Sequence, residues 1–470
     1  MKFFLILPVS FCVFFLGCRS GVNQSSFSLK KMIPDHWETK NNFTERNSTN
    51  GFWLLDFDDP WLDQTVRSAW AENPNITMMA ERVIAFGEDA IIAGASLFPA
   101  AQADLIGTRS KRNLVGFIPN NDTSFTAKSF NSGINISWEI DLWGKLRDHR
   151  EAVSMRFEST RAGFEAARLS LAAQVAKNWF ELVENGMQVN LADETVQTYE
   201  KNRNFVSNRF NQGLASALDD HLSKSSLASA RANLNQRKRL MDSKLRSFHI
   251  LLGRYPSAEL DRNLSTELPN LELIDLPSTP AKVLENRPDL EAARFQVEAS
   301  GLELNFARKG LLPSFSIIGG PGSRSEEFED LLDQRFRTWD IGGSLSQPLL
   351  QGGRIQAQTR KAKALRNAAF AEYRSITLKA FGEVESLLSS EGYLIEEEKL
   401  LQQASQNALY ASDISWERYQ NGVEAIFNAL DTQRRSFEAK SRFLTTRKER
   451  ILNRINLYLA LGQPALPIEP

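Results

Sequence analysis

The stretch Gly133–Leu142, GINISWEIDL, alternates without a slip. Ile134, Ile136, Trp138, Ile140 and Leu142 fall on one face, and Gly133, Asn135, Ser137, Glu139 and Asp141 on the other. A period of two marks a strand with one greasy and one wet side. About ten residues is also the length of a tilted strand that crosses a bilayer. Upstream, Ala103–Ser110 reads as a partner strand, with a polar loop through Asn120–Lys128 between the two. The layout returns in the second half. There Ser314–Ser323 and Trp339–Gln347 flank a charged loop, Arg324–Arg337. Trp339, Ile341 and Leu345 again oppose Asp340, Ser344 and Ser346.

These ribbons sit inside a duplication. RFNQG (Arg209 to Gly213) returns as RYQNG (Arg418 to Gly422), 209 positions later. Gly144-Lys145 and Leu252-Gly253 return as Gly353-Arg354 and Leu461-Gly462 at the same distance. Upstream, Asn73-Pro74 matches Arg287-Pro288, and Phe98-Pro99 matches Leu312-Pro313, both at 214. The repeat therefore covers 73–253 and 287–462. A duplicated unit argues against an enzyme whose two halves hold different jobs.

No proline interrupts 120–255 or 349–463, and good helix formers dominate both spans. One glycine, Gly213 or Gly422, sits centrally in each and suits a left-handed cap at a helix–helix turn. Each block thus predicts a helical hairpin with arms 147–212 and 214–252, or 355–421 and 423–461. The long first arm measures ~99 Å at 1.5 Å per residue. A shorter helix, 75–98 or 289–312, precedes each ribbon. Stacked end to end on the returning arm, it makes a broken rod beside the continuous one.

The N-terminus reads as a leader. Lys2 supplies a positive start and Phe3–Leu16 an apolar stretch, too short to span a bilayer as a helix. It ends Phe15-Leu16-Gly17-Cys18, which resembles a bacterial lipoprotein signal. Cys18 would then carry diacylglycerol and an N-acyl chain, and Arg19-Ser20 after it favours the outer membrane. The alternative is an ordinary signal peptide with an incidental cysteine. Cys12 and Cys18 are the only cysteines of the 470-residue chain, so no disulfide or thiolate metal site is expected downstream. The four histidines are scattered singly. A net charge of −1 gives no field for nucleic acid. No nucleophile elbow, HExxH or phosphate loop occurs, and Gly319-Gly320-Pro321-Gly322 lies in a strand context. No catalytic residue, metal site or resident cofactor is expected.

Four strands per chain do not close a membrane barrel, which needs about eight or more, and lipid tolerates no open edge. Several copies are required. At this point the chain resembles the TolC-like outer-membrane efflux proteins, in particular the lipidated outer-membrane factors of tripartite pumps. SWEIDLWGKLR (137–147), SQPLLQGGR (346–354), RPDLEAAR (287–294) and the two turns carry the resemblance. It implies an α plus membrane-β fold, with a homotrimer forming a twelve-stranded β-barrel on a periplasmic α-helical barrel. Expected boundaries are a signal peptide over 1–17, a lipidated tether over 18–51 and an equatorial N-terminal segment over 52–72. The first repeat, 73–253, holds a β-hairpin over 101–142, and an equatorial connector spans 254–286. The second repeat, 287–462, holds a β-hairpin over 314–348, and 463–470 form a tail. The implied function is a passive export duct through the outer membrane, extending into the periplasm. Its implied partners are a periplasmic adaptor and an inner-membrane transporter. Alternatives are a non-channel periplasmic coiled-coil scaffold and a duct for type I protein secretion.

Within that resemblance, Arg209, Gly213, Arg418 and Gly422 form a docking tip for the adaptor; alone, the arginines read as caps against the helix dipole. In a trimer Asp219 and Asp431 each become a ring of three carboxylates near the periplasmic mouth; alone, they read as local caps. Asn428 replaces an acid at the repeat position of Asp219. Ile134, Ile136, Trp138 and Ile140 would face lipid.

Overall fold

The computed structural model describes residues 36–38, 52–114, 123–260, 267–271 and 280–467. The leader and Cys18 lie outside them. The chain runs through α1 (Pro60–Glu72), α2 (Pro74–Ala95), β1 (Ala100–Leu114), β2 (Thr123–Ile140), α3 (Lys145–Asn211) and α4 (Ala217–Leu251). It continues through α5 (Ala281–Asn286), α6 (Pro288–Lys309), β3 (Ser314–Ser325), β4 (Arg337–Ser346), α7 (Arg354–Gln420) and α8 (Ile426–Ala460). The duplication is exact in length: α3 and α7 have 67 residues each, α4 and α8 have 35, and α2 and α6 have 22. The long helices run ~100 Å at 1.5 Å per residue.

The first hairpin is longer than its sequence pattern. Its strands have 15 and 18 residues, and β2 takes in Thr123–Lys128, expected as loop. These residues pair with Arg109–Leu114. Its apolar residues Phe125 and Ala127 fall on the face of Asn135 and not that of Ile134, so its alternation is out of phase with the pattern of 133–142. The returning helices are shorter than expected, because the tips occupy residues 212–216 and 421–425.

The broken rods join by matched chemistry. Asn73 caps α2 by accepting from the amides of Asn75 and Ile76. Its Nδ2 donates to the Leu251 carbonyl at the end of α4, 2.8 Å away. In the second repeat Arg287 Nη1 donates to the Ala460 carbonyl at the end of α8, at 3.1 Å. Leu251 and Ala460 stand 209 residues apart, so different side chains satisfy the same orphan carbonyl.

The main core sits at this level. Trp53, Leu62, Trp179, Leu182, Phe248, Leu388, Ile451 and Ile455 are buried there. The two ends of the fold meet in it. The amides of Trp53 and Leu54 donate to the Pro464 and Ala465 carbonyls at 3.3 and 3.4 Å. Trp53 stacks on Tyr458 with centroids 5.9 Å apart, and the Tyr458 hydroxyl donates to Asp56.

The strands form one antiparallel sheet in the order β1-β2-β3-β4, so β1 and β4 are open edges of the single chain. The helices show the same incompleteness. α6 packs on its own α7 and also on α3 of the other repeat, whereas α2 packs along its own α3 without a second long helix. Met78, Ile84, Ile91 and Ile92 of α2 and Leu365, Leu378 and Leu400 of α7 are exposed.

Candidate functional site

The strand register gathers one apolar face. Ile136 stands opposite Ala101 on β1 and Gly319 on β3, and Gly319 opposite Ile341 on β4. Ile140 stands opposite Phe315, itself opposite Leu345; Trp138 stands opposite Ile317; Ile134 stands opposite Ala103. Paired residues of antiparallel strands project to one side. Ile134, Ile136, Trp138 and Ile140 therefore share a face that continues across all four strands. Ile134, Ile136, Trp339, Ile341 and Leu345 are exposed in the single chain. The opposite face is mostly polar, with Ile106, Phe125 and Ile318 interspersed, and Asn135 Nδ2 and Gln102 Nε2 both donate to the Asp104 carboxylate, at 2.6 and 2.7 Å. Where strands meet helices, Trp138 Nε1 donates to the Leu97 carbonyl and Trp143 Nε1 to the Pro313 carbonyl. The run Gly319–Gly322 lies within β3. Among the described residues no helix is apolar and long enough to cross a membrane.

The far ends of the long helices carry the two tips. Gly213 and Gly422 have φ of +74° and +78°, where an L side chain is strained. Leu214 N donates to the Arg209 carbonyl at 2.8 Å and Gly213 N to the Phe210 carbonyl at 2.9 Å. Val423 and Gly422 repeat both bonds to Arg418 and Tyr419, at 3.0 Å each. These are Schellman caps, closed by glycine.

The arginines differ. Arg209 reaches across to the second hairpin, where Nη1 donates to the Gln420 carbonyl at 3.0 Å. Its guanidinium lies 5.7 Å from the Phe205 ring centre and 5.8 Å from that of Tyr419. It thus caps the C-terminus of α7, where a cation meets the helix dipole. Arg418 stays local and pairs with Glu424 at 3.2 Å. Arg418 and Asn428 together hold the Glu424 carboxyl below its ordinary range, the Asn428 bond acting most strongly. Around the turns Leu214, Leu218, Val423 and Phe427 are exposed. They form two pairs at the repeat distance of 209.

Asp219 and Asp431 have different jobs in the single chain. Asp219 closes a capping box at the start of α4: its amide donates to Ser216 Oγ at 3.1 Å, and its carboxylate accepts from Ser216 N at 3.0 Å. The second repeat has Ala425 at the matching position and no side-chain cap. Asp431 is clamped between Arg434 and Arg435, each 2.7 Å away, and Glu438 takes the other side of Arg434 at 2.7 Å. Hydrogen bonds from Arg434 and then Arg435 hold the Asp431 carboxyl below its ordinary range. The expected carboxylate carries its own counter-ions, so this quartet is neutral.

Sequence reading did not find the contacts that join the hairpins. Asn202 Nδ2 donates to Gln433 Oε1 at 2.6 Å in a buried position, and Ser441 Oγ donates to Gln188 Oε1 at 2.8 Å. Thr445 Oγ1 donates to Glu184 at 3.2 Å. Their only sequence signal is a few polar residues inside otherwise apolar helix stripes. Beside them α3, α4 and α8 enclose an open cleft of about 820 Å³, lined by Tyr199, Ser229, Asn233, Phe427, Arg434 and Phe437, among others.

Comparison with known proteins places this geometry. A family profile described as outer membrane efflux protein matches residues 65–254 and 279–463, one span per repeat. The probable efflux pump outer membrane protein TtgC of Pseudomonas putida is 26% identical over 415 residues, covering 87% of this chain and 84% of that protein. The cation efflux system protein CusC of Escherichia coli is 25% identical over 421 residues, covering 88% and 89%. The solved structure of the outer-membrane channel OprN matches with a TM-score of 0.85 at 23% identity, over 92% of this chain and 98% of that one.

Proposed function

The chain belongs to the outer membrane efflux protein family, and we propose that three copies close into one passive export duct docked to a periplasmic adaptor and an inner-membrane transporter. The chain is the outer-membrane channel component of an efflux pump and not an enzyme. One observation carries the closed ring, and the family supplies the number of copies. Within the chain, repeat two docks on repeat one through β3 on β2 and α6 on α3. Repeat one has no such partner, so β1 and α2 need β4 and α7 of the next copy. Each copy would add the same step, and three steps give twelve strands and no edge, as lipid requires.

In this reading the face bearing Ile134, Ile136, Trp138 and Ile140 meets lipid, and the wet face lines the lumen. Cys18 carries the diacylglycerol and N-acyl chain that anchor the chain. The tips at Gly213 and Gly422, with their exposed leucine, valine and phenylalanine, receive the adaptor. The lumen needs no selective site, so the cargo is set by the inner-membrane partner.

The internal joint fixes the test. Ser159 Oγ donates to the Ala292 carbonyl at 2.8 Å, tying α3 to α6. Shifted by the repeat distances, Ser159 becomes Ala368 and Ala292 becomes Met78. Both are exposed in the single chain. The double variant Met78→Cys, Ala368→Cys is therefore expected to form disulfides between copies on mild oxidation and to run as covalent dimers and trimers under denaturing electrophoresis. Each single variant should stay monomeric on the same gel. A double variant that remains monomeric rejects the ring.

A further inference from the structure

We propose that the lipid-facing side of the first hairpin carries a binding site for a phosphorylated glycolipid of the outer leaflet, built on Arg109 and Lys128. The proposal rests on the barrel reading above. On the apolar face, the row Ile140, Phe315 and Leu345 marks the helix end of the band. The row Gly107 and Phe130 lies ten residues further along β2. That is about 33 Å of strand at ~3.3 Å per residue, or about 25 Å of height at a tilt near 40°, which is the height of an outer-membrane apolar band. Phe130 meets Phe328 edge-on, with centroids 5.7 Å apart, so aromatic rings close the band at this row.

The next row on the same face is Arg109 opposite Lys128, and Lys111 follows on β1. One row below Phe130, Arg337 shares the face through Ser323 and Ser132. The cations thus begin where acyl chains end and headgroups start. Among the described residues Arg109, Lys111 and Arg337 have no acidic partner. Lys128 pairs with Glu327 at 3.1 Å, both side chains being well exposed. A recess of about 430 Å³ opens here. Gly107 and Phe130 line it with Phe328, Arg109 and Lys128, and Glu327 and Glu329 complete the lining. Arginine and lysine suit phosphate oxygens, the phenyl rings suit the first methylenes, and the two carboxylates accept from hydroxyl groups. A simple phospholipid uses only the first two features. A phosphorylated sugar carrying acyl chains uses all three.

The test is titration of the intact trimer with diphosphorylated lipid A, read by native mass spectrometry in detergent. Expected is saturable binding to the wild type and at least a tenfold loss in the double variant Arg109→Gln, Lys128→Gln. Arg112→Gln, on the opposite face three rows further along β1, should bind like wild type. Heat-resistant trimer bands and single-channel conductance report folding. Should the double variant fail them, enzymatic dephosphorylation of lipid A tests the wild type directly, and binding is expected to fall by the same factor. Phosphatidic acid, which has phosphate and acyl chains but no headgroup hydroxyl, should bind at least tenfold more weakly, and inorganic phosphate should not compete at equal concentration. Equal binding by wild type and a folded double variant overturns the site, as does indifference to dephosphorylation. Equal binding of phosphatidic acid, or full competition by free phosphate, overturns the glycolipid assignment. A wild-type trimer that does not insert into vesicles fails the barrel reading instead.

Discussion

Gly213, Gly422, Gly253 and Gly462 share one left-handed backbone conformation and differ only in what surrounds them. A β-carbon at Gly213 or Gly422 would meet nothing within 4 Å. At Gly462 it would lie 2.6 Å from the Asn286 carbonyl oxygen, and at Gly253 it would clash with that of Glu72. Gly422→Ala should therefore cost only the left-handed strain, about 1–2 kcal/mol, and lower the melting temperature slightly. Gly462→Ala adds a backbone clash at the joint and should cost several-fold more in thermal unfolding and trimer yield. Similar melting temperatures for the two variants would refute the joint as drawn. Asp431 supports a second expectation. Its carboxyl is depressed from an ordinary 3.8 by Arg434 and Arg435. Its stabilising contribution is thus complete above that value and fades as pH falls through the lower one. The conductance difference between wild type and Asp431→Asn should therefore keep more than half of its neutral-pH size at pH 3.8 and fade only below it. A difference already half lost at or above pH 3.8 would show a carboxylate ring without these counter-ions instead of a clamped ion quartet.

The strands give the sharpest contrast between neighbouring residues. Ile136→Arg puts a charge on the apolar face and should cost roughly 2–4 kcal/mol per copy at mid-membrane. Asn135→Arg points to the wet face, beside the Asp104 carboxylate, and should be tolerated. Membrane insertion of the two variants, followed by heat-resistant trimer on gels, reads the difference, and equal insertion would reverse the assigned faces. Alternation made this element legible: GINISWEIDL, and Trp339 to Ser346, declared both faces before any fold was known. The helix caps were legible too, because only glycine closes those turns cheaply. Thr123–Lys128 was not legible, since its apolar Phe125 and Ala127 run out of phase with Ile134, Ile136, Trp138 and Ile140. Nor was the reach of Arg209 to the Gln420 carbonyl, because contact between residues 211 positions apart depends on how two hairpins pack.

At the scale of the molecule the duplication was legible, and with it the need for further copies, because four strands leave two edges. The clustering of the buried aromatics was less so, since Trp53, Trp179, Phe248 and Tyr458 lie in four separate segments. If Cys18 anchors the chain, Cys18→Ser should abolish incorporation of labelled palmitate and reduce the fraction sorted to the outer membrane. Undiminished labelling would exclude it as the acylated residue. The meeting of Trp53 and Leu54 with Pro464 and Ala465 bears on the order in which this molecule is made. Loop closure over some four hundred residues is slow compared with local helix growth. Hairpins can coil as they emerge from the translocation machinery, but the aromatic core waits for residues 458–466. The protomer therefore reaches the periplasm without its keystone, assembly is postponed until synthesis is nearly over, and a ribosome that stalls early leaves fragments unable to compete for a place in the ring.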